Sequence, residues 1–423
     1  MKKHILFGQD AVLPVAFKKY RAQLGDSLWS AMGLVILNLV SQIAVFPLFV
    51  RLFGESGYGD IQYLSAYLNI FSLSAGCAAT LSRMTAPPDR RIENNGDYHW
   101  ILIGICLLGA PVIFLICRYG GVYMDRITAV CYYLLFVAMA LRSYVDVSYK
   151  LTLRYRRYFV FYCCVGIGYA LGAFLAYQTR IWPLAFLPGE LFGVLFAYLA
   201  DGTLRRRALR PSPAFGGVLK VTLLLCLSEG LSYLIANADR LILKLLIGAS
   251  AVTVYYLATL VGKTMTLITI PISGVLVGYL ARYQGRLTRR AAKWMLLGSI
   301  LCVAVFTCCC VLGGYLMLWL LYPTEFDAVR PYLLVGSLSE VIFFTANILS
   351  VILVRFAKKS YQLIINGAFA VSFFGIGIPA AIYGGLPGFT FAVLGANVLR
   401  LLLCIVFGFW WSRKKNEEIC DII

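Results

Sequence analysis

Apolar runs of about eighteen or more residues recur along the whole chain, and they limit its fold more than any other feature. A bilayer core about 30 Å thick is crossed by about twenty residues of α-helix. Only helices and closed barrels span a bilayer, because every backbone polar group needs a partner within the protein. These runs are too long for barrel strands. Since 61% of the 423 residues are hydrophobic and 13% are charged, the sequence predicts an all-α polytopic membrane protein.

Twelve of these runs are predicted to be membrane helices. They cover residues 28–50, 61–82, 100–117, 128–149, 159–178, 182–201, 217–239, 251–280, 294–321, 331–354, 361–383 and 387–412. The basic, proline-containing linker 202–216 lies at the midpoint and is the predicted boundary between two six-helix halves, 28–201 and 217–412. Segments 1–27 and 413–423 are predicted to be cytoplasmic. Within the first of them, residues 11–24 form either a basic helix on the inner leaflet or an untethered tail.

The positions of Lys and Arg predict the orientation of these helices. With both termini in the cytoplasm, the cytoplasmic segments carry about four times as many Lys and Arg as the external loops. No cleavable signal peptide precedes the first run, and all seven tryptophans fall near predicted span ends, where amphipathic rings prefer the headgroup region. The sequence therefore predicts a multi-pass protein of the bacterial cytoplasmic membrane.

Composition and motifs exclude several classes of function. The net charge of +19 is spread over short loops rather than one face, which argues against nucleic-acid binding. Cysteines such as Cys163 and Cys164 lie inside apolar runs, and no metal-ligand spacing includes His4 or His99. No phosphate-binding loop, nucleophile–base arrangement or sizeable extramembrane domain is found. We therefore expect neither an enzyme nor a cofactor.

The stretch 228–263 joins two apolar segments through a short turn and is interrupted by charged residues. A weaker copy occurs in the first half, where Gly54 corresponds to Gly248 and Ser56 to Ser250. Two halves that each begin with such a hairpin suggest a transporter built from repeats.

Charged residues inside the predicted spans are the candidate functional residues, because burying an ion in hydrocarbon costs at least about 2.5–3.5 kcal/mol. Glu229 and Lys263 lie near the middle of the two hairpin helices and are expected either to face one another or to line a cavity. Glu229 and Asp239 are also candidates for ion coupling.

Two further sets of charged residues leave alternatives open. Arg142 and Asp146 share a helix face at i, i+4, so they either neutralise each other or serve transport, with Asp146 as an ion-coupling candidate. Arg400 either pairs with Glu340 or faces a substrate anion, which a guanidinium suits well. Glu340 is in turn a candidate protonation site.

Several polar residues near the first span of each half complete the candidates. Arg51, Arg240 and Lys244 lie near outer helix ends, where they either extend toward the headgroups or contact substrate. Span one carries Asn38 and Gln42 but no acid. Such polar residues often bond neighbouring helices, and these two are also candidates for substrate binding.

Two motifs carry a resemblance to a known family. The junction after span one reads R-L-F-G-x-x-x-Y-G from Arg51 to Gly59, and the second half contains N-x-D-R-L-I-L-x-x-L-I-G from Asn237 to Gly248. With twelve spans in two halves, these resemble the bacterial polysaccharide flippases of the multidrug/oligosaccharidyl-lipid/polysaccharide exporter superfamily.

The resemblance implies a V-shaped pair of six-helix bundles around a cationic cavity that works by alternating access. The implied substrate is an undecaprenyl-diphosphate-linked oligosaccharide, flipped to the outer leaflet for surface polysaccharide synthesis, with Lys263, Arg142 and Arg400 available to the diphosphate. A polysaccharide polymerase and other assembly proteins are the implied partners, besides membrane lipids. The alternatives are a cation-coupled exporter of small amphipathic compounds, which the absence of an acid in span one weakens, and a membrane polymerase, which the short outside loops disfavour.

Overall fold

The computed structural model describes residues 29, 32–87, 90–206, 209–282, 289–356 and 359–420. This part of the chain is almost entirely helical and contains no β-strand. Twelve long helices, here α1 to α12, form the body of the protein. They are α1 (32–53), α2 (55–85), α3 (Asn95–Tyr119), α4 (Arg126–Thr152), α5 (Tyr155–Thr179), α6 (Leu187–Ala200), α7 (Phe215–Leu246), α8 (Ala249–Arg282), α9 (Arg289–Leu321), α10 (Phe326–Phe356), α11 (359–384) and α12 (386–420).

Each helix overlaps one predicted span. By length and apolar composition alone, eight helical segments of the described chain can cross a membrane. Two of them, Met32–Thr85 and Tyr361–Trp410, each contain two passes, because non-helical glycines interrupt them at Gly54 and Gly385. The α6 helix is shorter, but a 3₁₀ turn at Trp182–Ala185 precedes it. Residues 1–28, 30–31 and 421–423, and with them the alternative of a basic helix at 11–24, lie outside the described residues. Within the described residues, the twelve predicted membrane helices are confirmed.

The turns at Gly54 and Gly248, which correspond to one another in the two halves of the sequence, both contain a glycine with a positive φ angle. Gly54 has φ +72° between α1 and α2, and Gly248 has φ +135° between α7 and α8. Glycine adopts positive φ without the steric cost that a Cβ brings, so it suits both turns. Because the helices alternate in direction, Gly54, Gly248 and Gly385 lie on one face of the protein, here the far face. The linker between α6 and α7 lies on the opposite face, here the linker face.

Aromatic residues dominate the core of the first half. Tyr132, Tyr144 and Phe161 have no exposed surface and belong to one buried cluster that joins α1 to α6. The same cluster continues into α8 through Tyr256 and Leu257. A second cluster, which includes Phe373 and Phe389, holds α7, α8, α11 and α12 together. The aromatic core therefore extends across the contact between the two halves.

The linker is bonded to the beginning of α3. Asp97 is fully buried and accepts two 2.6 Å hydrogen bonds, from the backbone N–H and the hydroxyl of Ser212. Trp100 donates its indole N–H to the carbonyl of Leu209 at 3.1 Å. The connection between the halves is thus fixed to the first half on the linker face.

Candidate functional site

The central charged contact joins α7 to α8. Lys263 Nζ donates a 2.6 Å hydrogen bond to Asp239 Oδ2, and the Asp239 side chain is 9% exposed. The ammonium also lies over the rings of Tyr255 and Tyr256, at 5.7 and 5.5 Å from their centroids. An ammonium is attracted to the face of an aromatic ring, so the two tyrosines add to the stabilisation of Lys263 within the membrane.

Glu340 on α10 lies beside this pair. A Cβ added to Gly262 would approach the Cβ of Glu340 to 2.5 Å, so α8 and α10 are in close contact one residue before Lys263. The carboxylate of Glu340 interacts electrostatically with Lys263 and with Asp239. Two acids from different helices therefore act on one lysine; these three residues are here the Lys263 cluster.

A set of contacts closes the space between the halves toward the far face. Lys244 forms an ion pair with Asp60, joining α7 to α2. Thr253 on α8 donates a 2.6 Å hydrogen bond to the carbonyl of Glu55. The backbones approach most closely at Gly59, where an added Cβ would lie 1.9 Å from the carbonyl oxygen of Ala249. Only glycine permits this approach.

Arg240 adds an aromatic contact to this region. Its guanidinium lies 4.7 Å from the ring centroid of Tyr256, which in turn packs against Phe46 and Tyr58 of the first half. The Nε of Arg240 is buried and has no hydrogen-bond partner in the described part of the protein. Arg240 and Lys244 are thus placed between the halves rather than extended toward the headgroups.

Polar contacts continue toward the middle of the protein. Gln42 on α1 donates to Thr264 on α8 at 2.9 Å, and Tyr322 donates to the carbonyl of Gln42 at 3.4 Å. Asn69 on α2 donates to Asn237 on α7 at 3.1 Å. Gln42 therefore takes part in the contact between the halves. Its partner Thr264 is the residue that follows Lys263.

The first half contains its own buried ion pairs. Arg142 Nε donates to Glu190 Oε2 on α6 at 2.5 Å, and Tyr169 on α5 also donates to Glu190. Asp146 instead pairs with Lys150 at 2.9 Å. The hypothesis that Arg142 and Asp146 neutralise each other is wrong, because each has a closer partner of opposite charge.

Arg400 lies inside the second half, where it contacts α10 one helical turn from Glu340 without forming an ion pair with it. Its guanidinium stands between Phe343 and Phe369, at 4.7 and 5.2 Å from the ring centroids, and donates to Asn366 at 3.2 Å. Arg400 is 8% exposed, its Nε has no partner, and no carboxylate within the described residues pairs with it. The predicted pairing with Glu340 is therefore wrong.

The remaining predicted residues lie outside these clusters. Glu229 is half-buried on α7 and forms no ion pair within the described ranges, so the hypothesis that it faces Lys263 is wrong. Arg51 is exposed at the far end of α1. Asn38 donates at 2.9 Å to the carbonyl of Leu34 in its own helix. In the same described part, no group of three or more His, Cys, Asp or Glu is placed to hold a metal ion.

Glu190 is absent from the predicted candidates, yet it is fully buried and paired. A signal for it exists in the sequence. It is an acid within the predicted span 182–201, and an acid at membrane depth requires a partner.

No protein-family model matches the sequence, and no curated protein matches it either. Solved structures do match. A MATE crystal structure in the bent conformation aligns with a TM-score of 0.61 and 16% identity, over 95% of this chain and 96% of that chain. An inward-facing multidrug resistance MATE family transporter of the MOP superfamily gives 0.67 and 15%, over 93% of this chain and 99% of that chain. The fold is that of the MATE structures.

The MATE likeness extends over nearly the full length of both chains, so it confirms the predicted fold class. MATE in the straight conformation aligns as well, with a TM-score of 0.57 and 15% identity over 95% of this chain and 96% of that chain. These similarities concern the fold, since the identities are 15–16%.

Proposed function

We propose that the chain is a cation-coupled secondary exporter of small amphipathic compounds that works by alternating access. The observation that carries this proposal is the Lys263 cluster, in which Lys263 pairs with Asp239 while a second acid, Glu340, packs against the neighbouring residue Gly262. The fold of the chain is also similar to that of a multidrug resistance transporter. We favour this function over that of a lipid-linked oligosaccharide flippase. Of the three cations expected to bind a diphosphate, Arg142 and Lys263 are each neutralised by a carboxylate.

The Lys263 cluster supplies a physical basis for coupling. Ionised side chains at membrane depth are stable only when they are paired. When one of the two acids is protonated, the other is therefore the remaining charged partner of Lys263. A proton on Asp239 would release Lys263 toward Glu340 on α10, whereas a proton on Glu340 would strengthen the bond between α7 and α8. Proton binding thereby changes which helices are held together.

Alternating access then requires the far-face contacts to break. The Lys244–Asp60 pair and the Thr253–Glu55 hydrogen bond join the halves there. Both lie on the helices that carry or adjoin Lys263, so a rearrangement of α7 against α8 would be transmitted to them. We further propose that 28–201 and 217–412 are the two moving units and that 202–216 connects them.

Transport in proteoliposomes tests this function. The wild type, reconstituted with an imposed pH gradient, is expected to move a fluorescent cationic amphipathic dye against its concentration gradient. Asp239→Asn and Glu340→Gln should each abolish uphill transport. Glu229→Gln is the matched control, since it removes an acid from α7 outside the Lys263 cluster and should leave transport intact. Equal loss in all three variants, or dye movement independent of the gradient, would refute the proposal.

A second candidate function is supported by Arg400. A buried guanidinium without a carboxylate partner suits an anionic ligand, and the motifs from Arg51 and Asn237 resemble those of polysaccharide flippases. In this alternative the chain flips undecaprenyl-diphosphate-linked oligosaccharides in the bacterial cytoplasmic membrane, with both termini cytoplasmic. A polymerase and other assembly proteins would then receive the product.

The alternative has a separate test. A fluorescent undecaprenyl-diphosphate oligosaccharide analogue is placed in one leaflet of proteoliposomes, and its exposure to a membrane-impermeant quencher is followed. Flipping by the wild type that is lost in Arg400→Gln but kept in Arg51→Gln, an exposed arginine, would favour the flippase. No flipping together with proton-driven dye export would exclude it.

A further inference from the structure

An apolar cleft opens between α2, α3 and α4 of the first half. It encloses about 180 Å³. Its floor consists of Leu68, Ile113, Tyr132 and Phe136, none of which is more than 5% exposed, and Leu108 stands at its edge with 72% exposure. The cleft thus connects a buried aromatic floor with the lipid-facing surface of membrane helices.

The length of the cleft matches one leaflet. On α3 its lining residues run from Ile105 to Ile116, eleven residues apart, which at about 1.5 Å per residue is about 16 Å. The hydrocarbon core of a bilayer is about 30 Å thick, so this is about half of it. Because α3 ends at Tyr119 on the far face, the cleft covers the leaflet on that side.

Local sequence keeps the cleft from filling with protein. A Cβ added to Gly109 would lie 2.5 Å from the ring of Phe136, so the absence of a side chain lets α3 approach that ring. Two residues later Pro111 lies inside α3, and proline disrupts the hydrogen bonding of the preceding turn. On the other wall α2 contains a π-helical segment, Asn69–Leu73, a form that is frequent at functional sites.

Cations stand at the far-face ends of the helices that form the cleft. Arg118 lies in the last turn of α3, two residues after Ile116, and Arg126 begins α4; both are exposed. The nearby acid, Asp125, already accepts hydrogen bonds from the backbone N–H groups of Ile127 and Thr128 as the cap of α4. Two arginines at the headgroup level suit a phosphate, whereas the cleft below them offers only hydrocarbon contacts.

We propose that this cleft binds one acyl chain of an anionic phospholipid from the far-face leaflet, with the lipid phosphate on Arg118 and Arg126. The bound chain lies along α3 and contacts the π-helical segment of α2. The same segment carries Asn69, which donates to Asn237 on α7. The lipid therefore sits directly behind one of the contacts between the halves.

Photocrosslinking in nanodiscs tests the acyl-chain part. The purified full chain is placed in phosphatidylcholine nanodiscs with phosphatidylglycerol whose acyl chain carries a diazirine, and labelled peptides are identified by mass spectrometry. Label is expected on 105–116 and 67–71. Leu108→Trp fills the cleft and should lower this label by about tenfold, the factor that corresponds to 1.4 kcal/mol. Leu107→Trp is the matched control, because Leu107 is 65% exposed on the same helix but does not line the cleft.

The headgroup part has its own comparison. Arg118→Gln with Arg126→Gln should lower labelling by phosphatidylglycerol more than labelling by diazirine phosphatidylcholine, because the choline cation of the latter offsets the charge of its phosphate. Arg330→Gln, an exposed arginine at the far-face end of α10, should change neither. Equal labelling of Leu107→Trp and Leu108→Trp, or label spread evenly over all lipid-facing helices, would overturn the site. Equal labelling by the two lipids in the wild type would overturn the role of the arginines.

Discussion

Arg142 and Glu190 form an ion pair inside the first half, with 2.5 Å between Nε and Oε2 and no exposed surface on the Glu190 side chain. The pair joins α4 to α6, and the hydroxyl of Tyr169 adds α5 to the same carboxylate. Three helices therefore share one buried charge. The attraction between the two charges offsets the free-energy cost of removing each from water. Removal of one partner therefore leaves the other buried and uncompensated, which destabilises the fold.

The first prediction concerns the stability of this pair. Glu190→Ala leaves Arg142 buried without its acid and should lower the free energy of unfolding by about 3–5 kcal/mol. The double variant Arg142→Met with Glu190→Leu replaces both charges by apolar groups and should recover most of that loss. The measurement is the Tm in detergent, followed by intrinsic fluorescence. Lys244→Gln is the control, because its pair with Asp60 is partly exposed and should contribute less. An equally low Tm in the single and double variants would contradict the prediction.

The second prediction concerns the close contact at Gly59. Gly59→Leu places a side chain where the carbonyl of Ala249 stands and should separate the halves on the far face. Thr253 is fully buried in the same contact, so Thr253→Cys in a background without other cysteines should resist a membrane-impermeant thiol reagent. Adding Gly59→Leu should make it reactive.

Gly104→Leu is the control for this substitution, because nothing lies within 4 Å of a Cβ added to Gly104. It should leave Thr253→Cys protected. Labelling of Thr253→Cys at the same rate with and without Gly59→Leu would mean that Gly59 does not hold this contact closed.

The helices of this protein follow from its sequence, whereas the pairing of charges does not. Helix length depends on the extent of each apolar run, and each of the twelve runs is helical in the part of it that the structure describes. Arg142 and Asp146 do share one helix face, as their spacing predicts. The partner of Arg142 comes from another helix, Glu190 on α6, whereas Asp146 pairs with Lys150 four residues along its own helix. Which helix packs against that face depends on the tertiary arrangement, which spacing within one helix does not contain.

The Lys263 cluster illustrates the same limit. The sequence identifies Lys263, Asp239 and Glu340 as membrane charges; in the structure Lys263 pairs with Asp239, and Glu340 lies beside Gly262, the residue before Lys263. Glu229 is a candidate partner of Lys263 in the sequence because both lie near the middle of their helices. The rotation of α7 about its axis decides the outcome instead, and it presents Asp239 to α8.

The third prediction concerns the linker. Asp97→Ala removes the acceptor of two hydrogen bonds from Ser212, and bonds to a charged group contribute about 1.5–3 kcal/mol each. Trypsin should then cleave the basic linker after Arg205 or Arg206 at least about tenfold faster, since 1.4 kcal/mol corresponds to tenfold in an opening equilibrium. Asp125→Ala, which removes an exposed acid from the far face, should not change the rate. The measurement is the appearance of the two half-length bands by gel electrophoresis, and unchanged cleavage in Asp97→Ala would contradict the prediction.

The fourth prediction contrasts Arg400 with Arg142. Both arginines are buried, but Arg142 has a carboxylate partner, whereas Arg400 has only Asn366 and the rings of Phe343 and Phe369. Burial of a charge without an opposite charge is unfavourable, so Arg400→Met should raise the free energy of unfolding by about 0.5–2 kcal/mol, as removal of a functional charge commonly does. Arg142→Met should lower it. The measurement is again the Tm of each variant in detergent. If Arg400→Met lowers the Tm as Arg142→Met does, the two aromatic rings stabilise the guanidinium enough to make it structural, and the argument for an anion site at Arg400 fails.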